Sequence, residues 1–187
     1  MHTLLLHGSP RRNGDSAALL SALRAQLPGD AMLVSAYHDG IQPCLDCRRC
    51  WREPGCALDD RMQEVYQYLR TCDAVVIASP VYYSELSGPL LSVASRLQTY
   101  FTARRFRGEA PGLRPKHGVL LLTGGEPGTE IRAAQTAHTL FRLMHTTQAA
   151  MVASMYTNEV PAARDAEALR LAGEAGVLLG QLCGHEA

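Results

Sequence analysis

Two stretches of this 187-residue chain carry residue types that do chemistry. The first is His7-Gly8-Ser9-Pro10-Arg11-Arg12-Asn13-Gly14-Asp15-Ser16. Gly8 and Gly14 let the backbone come close to a ligand, Ser9 and Ser16 supply hydroxyl donors, Asn13 an amide, and Arg11 and Arg12 full positive charge. That set suits a terminal phosphate. The second is Cys44-x2-Cys47-x2-Cys50-x5-Cys56. Compact cysteine runs with two-residue spacers ligate cubane clusters, a tetrahedral zinc site also accepts four cysteines, and packed thiols without metal are the third reading. Arg48, Arg49 and Arg52 beside the thiols would offset the negative charge of a bound cluster.

Spacing narrows the phosphate ligand. A nucleoside triphosphate loop needs Gly-x4-Gly-Lys-Ser/Thr, but here the glycines are six apart and no lysine follows Gly14. A dinucleotide fingerprint needs Gly-x-Gly-x-x-Gly, which is absent as well. A phosphomonoester is left. The stretch follows the apolar run Leu4-Leu5-Leu6 and precedes Leu19, Leu20, Leu23 and Leu27 at helical spacing, so it reads as the turn from a first strand into a first helix. Helix starts of this kind offer unpaired N–H groups and the positive end of the macrodipole to an anion.

The elements that must position these residues alternate along the chain. Nearly unbroken apolar runs at Thr3–Leu6, Met32–Ala36, Ala74–Ala78, Gly118–Leu122 and Ala149–Ala153 predict strands buried on both faces. Helical periodicity predicts helices over about 16–27, 60–70, 88–103, 129–145 and 161–183, the second started by Asp59 or Asp60 as N-cap. Five strands alternating with five helices imply a three-layer α/β fold around a parallel sheet in order 2-1-3-4-5, with ligands outside the carboxyl ends of the strands. In that order the turn at 8–16 neighbours two others. Pro80-Val81-Tyr82-Tyr83-Ser84 offers flat aromatic faces, and Gly124-Gly125 lets backbone amides approach the polar edge of a planar ligand. A phosphate at one end and a ring at the other describe a mononucleotide with a large heterocycle.

Gly8-Ser9-Pro10-Arg11 through Ser16, Pro43-Cys44-x-x-Cys47-x-x-Cys50 through Cys56, Asp59-Asp60-x-Met62 and Ala78-Ser79-Pro80-Val81-Tyr82-Tyr83, in that order, resemble the flavodoxin-like NADPH-dependent FMN reductase family, within it the iron–sulfur flavoprotein branch. The resemblance implies a flavodoxin-like fold and FMN, with Ser9, Arg11, Asn13, Asp15 and Ser16 around the phosphate and Pro80 to Ser84 along the isoalloxazine. It departs at Asp15, where the family often has asparagine, and at Ser95-Arg96, where it often has Asp-Arg. A carboxylate at Asp15 repels a phosphate unless it turns away to cap the helix.

The expected activity is transfer of electrons from NAD(P)H through FMN to a small acceptor such as a flavin or quinone, with a [4Fe-4S] cluster on Cys44, Cys47, Cys50 and Cys56 as a further carrier. The rival reading is a non-enzymatic electron carrier or redox sensor built on the 44–56 cysteines. Eighteen basic residues balance eighteen acidic ones, which does not favour a nucleic-acid or anionic-membrane partner. The N-terminal apolar run is too short for a signal peptide, and no apolar stretch approaches the roughly 20 residues of a membrane span, so a cytoplasmic single-domain protein spanning 1–187 is expected. A flavin ring at a sheet edge is open on one side. A homodimer or homotetramer would cover it, with Tyr100, Phe101 and Phe106 as anchors. Arg104, Arg105, Arg107, Arg114 and Lys116 read as a solvated basic run, Cys72 and Cys183 as small buried hydrophobes, and His7 as a satisfied core residue.

Overall fold

The computed structural model describes residues 1–184. Strand β1 (His2–His7) leads through the glycine-rich turn into α1 (Asp15–Arg24), then β2 (Asp30–Ser35). A long connection holding the one-turn helix α2 (Arg49–Arg52) reaches α3 (Met62–Thr71) and β3 (Ala74–Tyr82). The two-residue β4 (Glu85–Leu86) folds back on β3 before α4 (Gly88–Ser95), α5 (Gln98–Thr102) and a π turn (Ala103–Arg107). The chain closes with β5 (Lys116–Thr123), α6 (Glu130–Leu143), β6 (Thr146–Ser154), a 3₁₀ turn (Ala162–Arg164) and α7 (Ala166–Gly184).

Five parallel strands lie in the order β2-β1-β3-β5-β6, which is the expected 2-1-3-4-5 with the unforeseen β4 antiparallel on β3. Because side chains alternate across a strand, each apolar run feeds both layers. Leu4, Leu6, Val75, Ile77, Leu120 and Leu122 pack under α3, α4 and α6 through Met62, Val65, Leu69, Leu90, Val93 and Phe141. Leu5, Val76, Val119 and Leu121 face the other way, against α1 and α7 through Leu19, Leu23, Ala172 and Leu179. With this packing on both faces, all three turns of interest leave the carboxyl edge of the sheet, from the adjacent strands β1, β3 and β5.

Two expectations change. The single helix over 88–103 is broken: at Arg96 and Leu97 the backbone N–H groups reach back three residues, to Val93 and Ala94, and a separate α5 follows. The break coincides with the Arg96 side chain turning inward, fully buried, onto Asp60. The last helix starts at Ala166 rather than 161, because the Asp165 carboxylate caps it by accepting from Ala168 N at 3.0 Å. No helix among the described residues is long and apolar enough to cross a membrane.

Candidate functional site

The β1–α1 turn is held from within. Arg11 N donates to Ser9 Oγ at 3.2 Å, and Ser16 Oγ pairs with Thr123 Oγ1 at the end of β5 at 2.9 Å. Ser9 and Ser16 are therefore buried and engaged inside the protein, where they shape the loop. A Cβ at Gly8 would sit 2.9 Å from Leu90 Cδ2 and Ser87 Oγ, so only glycine lets β1 run this close to α4. The start of α1 is uncapped: Gly14 stands at its N-cap with no side-chain bond to the first turn. The bare N–H groups, the exposed Asn13, and the guanidinium groups of Arg11 and Arg12 form the open face of the loop.

Asp15 does not face that opening. Its Oδ1 accepts from Ala162 N at 2.9 Å, and its Oδ2 pairs with Arg11 at 2.9 Å. The carboxylate thus clamps the turn before α7 to the start of α1. His7, directly before the loop, is buried as expected but not satisfied: among the described residues its Nε2 has no partner. Burial, and then the nearby His38, hold its pKa below the usual histidine value. An uncapped helix start, two guanidinium groups and an orphaned imidazole nitrogen together fit a phosphate.

On the other side of β1, β3 and β4 form a hairpin in which Tyr82 pairs with Glu85. Its two tip residues, Tyr83 (φ 52) and Ser84 (φ 62), are both left-handed, the geometry of a type I′ turn, which normally selects Asn-Gly. Tyr83 is fully exposed at the tip and Tyr82 is 44% exposed, whereas Pro80 is buried in the sheet opposite Thr123. A cleft of about 550 Å³ opens beside this hairpin, lined by Val81, Tyr83, Ser84 and Gly125 from the predicted set. Thr129, Tyr156 and Asn158 complete its wall, and Glu126 and Glu159 add carboxylates. The sequence reading missed these five: Glu126 directly follows Gly124-Gly125, and the other four sit in the loops after β5 and β6 with no motif around them. Gly124 lies outside the cleft: its N–H is bonded to Ser154 O and its carbonyl accepts from Thr157 N. The side-chain space over Gly125 is occupied by the Asn158 amide, so glycine there makes room for the loop after β6.

The four cysteines line one cavity of about 370 Å³ between the loop after β2, the end of α4 and α5, together with Trp51, Phe101 and Phe106. Sulfur donors are thus gathered on one wall set, as thiolate ligation of a soft metal requires. Among the described residues, however, no three Cys, His, Asp or Glu side chains stand close enough to hold a metal ion, so ligation requires the loop to close further. The loop's ends are fixed by residues whose role the sequence left open. Arg96 Nη1 donates to Asp60 Oδ2 at 2.7 Å and to Gln42 O at 2.9 Å, and Cys44 N donates to Ser95 Oγ at 2.9 Å. Ser95-Arg96 therefore tie the start of the cysteine loop to its end. Burial raises the Asp60 carboxyl pKa, but hydrogen bonds from Arg96, Gln42 N and Met62 N outweigh this and hold it below the usual range.

Three further assignments are corrected. Tyr100 cannot anchor an interface, because it is buried edge-on against Tyr66, 5.9 Å between centroids. Phe101 and Phe106 remain exposed, Phe106 stacked on Trp51 at 4.0 Å. Lys116 is no part of a solvated run; it is buried and donates to Arg114 O at 2.7 Å. Cys72 is a buried thiol whose pKa burial pushes up to about 11, but Cys183 is only half-buried.

Comparison with known proteins agrees with this geometry. The family model described as NADPH-dependent FMN reductase matches residues 1–159. An iron–sulfur flavoprotein of Methanocaldococcus jannaschii is 32% identical over 141 residues, 73% of this chain and 68% of that protein. Another, from Archaeoglobus fulgidus, is 31% identical over 114 residues, 59% of this chain, so that the chain spans about half (49%) of that relative's length. Among solved structures, an NAD(P)H:quinone oxidoreductase from Methanothermobacter marburgensis superposes with a TM-score of 0.74 at 19% identity over 96% of each chain, which establishes a flavodoxin-like fold. With most of its length matched by the family model, and the strand order and carboxyl-edge cleft of that fold, the chain belongs to the NADPH-dependent FMN reductase family.

Proposed function

We propose that this chain binds FMN as a single FMN-binding domain at the carboxyl edge of its sheet and transfers electrons from NAD(P)H to a small acceptor such as a flavin or quinone. The observation that carries the reading is the uncapped start of α1 with Arg11 and Arg12 in the turn before it and His7, whose buried Nε2 is unpartnered among the described residues, at the end of β1, one strand away from the cleft beside the β3–β4 hairpin. In this reading the N–H groups of 13, 15 and 16, the Asn13 side chain, Arg11 and Arg12 hold the phosphate, while the Gly14 N–H, bonded to Arg11 O, and Ser9 and Ser16 keep the loop in shape. Val81, Tyr83, Ser84 and Gly125 bound the ring, and Tyr156 and Asn158 close its far side. When bound, FMN supplies the hydride and single-electron chemistry. The protein's part is to position the ring and to exclude water on one face; no side chain is assigned as a general acid or base. Steady-state oxidation of NADPH by the FMN-loaded chain with an added quinone tests the activity: turnover supports it, and bound FMN without turnover favours the electron-carrier reading.

The cysteine loop is a candidate for an iron–sulfur cluster because its four thiols already line one cavity. Iron and acid-labile sulfide in an anaerobic preparation, both lost in Cys56→Ala while FMN stays bound, support that assignment. Full iron in Cys56→Ala contradicts it. A dimer or tetramer, with Phe101 and Phe106 as the available apolar anchors, completes the proposal; a monomeric mass for the active FMN-loaded protein contradicts this part.

A further inference from the structure

Three of the four loop cysteines are held through their main chain by side chains outside the loop, Ser95 and Thr102 from the facing wall of the cavity, Gln63 and Arg107 from behind it. Cys44 N donates to Ser95 Oγ at 2.9 Å. The Cys50 carbonyl accepts from Thr102 Oγ1 at 3.0 Å and from the Arg107 guanidinium. Gln63 Nε2 reaches the Cys56 carbonyl at 3.3 Å, with Leu58 O at 2.6 Å as its second acceptor. Cys47 differs. Among the described residues no main-chain hydrogen bond holds it, and its neighbours Asp46 (φ 48) and Arg48 (φ 58) are both left-handed; like Cys44, and unlike Cys50 and Cys56, it is exposed.

We propose that Ser95, Thr102, Arg107 and Gln63 are positioning residues that anchor the main chain at Cys44, Cys50 and Cys56, so that the loop closes for metal ligation by rotation of these three side chains and by movement of Cys47, the one cysteine of the four without such a tie. This rests on the cysteine loop being a metal site, the reading given above. The physical logic is that of any outer shell: a ligand whose main chain is already fixed loses little freedom when it binds, and removing such support typically lowers metal affinity about 10–100-fold. Thr102 is the cleanest member to remove. It is buried, its hydroxyl proton is shared between Cys50 O and Thr99 O at 3.2 Å, and valine preserves its shape.

The test is a titration of the reduced, FMN-loaded chain with cobalt(II), read by the thiolate-to-metal absorption band, in the parent, Thr102→Val and Thr102→Ser. Affinity is expected to fall about tenfold or more in Thr102→Val and to stay within about twofold in Thr102→Ser, which restores the donor. Undiminished affinity in Thr102→Val, or equal losses in both variants, overturns the proposal. In parallel, iodoacetamide labelling of the metal-free chain read by peptide mass is expected to modify Cys47 before Cys50 and Cys56, and Thr102→Val, not Thr102→Ser, to speed Cys50. A parent chain that takes up no cobalt overturns the metal-site reading on its own; the labelling order then decides the positioning claim, and Cys47 reacting no faster than Cys50 overturns it.

Discussion

Asp15 occupies the position most exposed to misreading, since a carboxylate beside a phosphate loop is repulsive, yet its oxygens are committed to Ala162 N and Arg11. Asp15→Asn keeps an acceptor for Ala162 and releases Arg11 toward the phosphate. It should tighten FMN binding several-fold and change stability by less than about 1 kcal/mol, the usual size of an exposed ion pair. Weaker binding in a titration would contradict this. Arg11→Ala, losing a charge-assisted bond at an exposed position, should weaken FMN about tenfold, near 1.5 kcal/mol. His7 makes a pH prediction. Its folded pKa lies below its unfolded value of 6.5, so the unfolded chain takes up a proton first as pH falls. The FMN-free protein should therefore lose stability as pH drops below about 6.5, and His7→Asn should flatten that part of a melting-temperature profile. An unchanged profile would remove His7 from the account. The residue types of the loop were legible in the sequence. Which hydroxyls face inward was not: Ser16 is taken by Thr123, 107 positions away, whose approach depends on the tertiary fold, and Ser9 accepts from Arg11 N within the turn itself, a local contact that residue type alone does not announce.

At the scale of elements, strands and helices followed from apolar periodicity: the inner strands β1, β3 and β5 are buried on both faces, the edge strands β2 and β6, expected to be so too, are buried only in part because no neighbour covers their outer side, and each long helix buries one face. What periodicity cannot carry is an element set by one buried polar contact. The break between α4 and α5 accompanies the inward Arg96, whose guanidinium is neutralised by Asp60, a residue 36 positions earlier that the sequence offered as a helix cap. It does act on the helix start as well, accepting from Met62 N at 3.0 Å. Asp60→Ala leaves Arg96 buried without a counter-charge and should cost about 3–5 kcal/mol in a denaturant melt. A loss under about 1 kcal/mol would mean that the guanidinium escapes to water. The β3–β4 hairpin behaves oppositely. Tyr83 and Ser84 hold left-handed backbone that disfavours non-glycine residues by roughly 1–2 kcal/mol each. Tyr83→Asn with Ser84→Gly should raise stability by about 1–2 kcal/mol while weakening FMN, because it removes the side chains that bound the ring. Gains in both would leave the strained turn without a function. No turn motif in Tyr82-Tyr83-Ser84-Glu85 announces this hairpin, which is why β4 was not foreseen.

Across the whole molecule, the sheet order brings the ends of β1, β3 and β5 side by side, so an anion site and a ring cleft arise on neighbouring turns from segments more than 100 residues apart in sequence. The cysteine loop, tied at both ends by Ser95, Arg96 and Asp60, forms a separate compartment against α5. Binding of FMN should therefore be independent of the cysteines. The central claim is that the loop at 8–16 closes on a terminal phosphate and leaves no room for an adenylate. Its most direct test is a titration of the flavin-free chain with FMN and with FAD, followed by the change in flavin fluorescence. Saturable binding of one FMN per chain, with FAD at least tenfold weaker, is the result expected; equal affinity for the two, or no saturable binding of FMN, would contradict it.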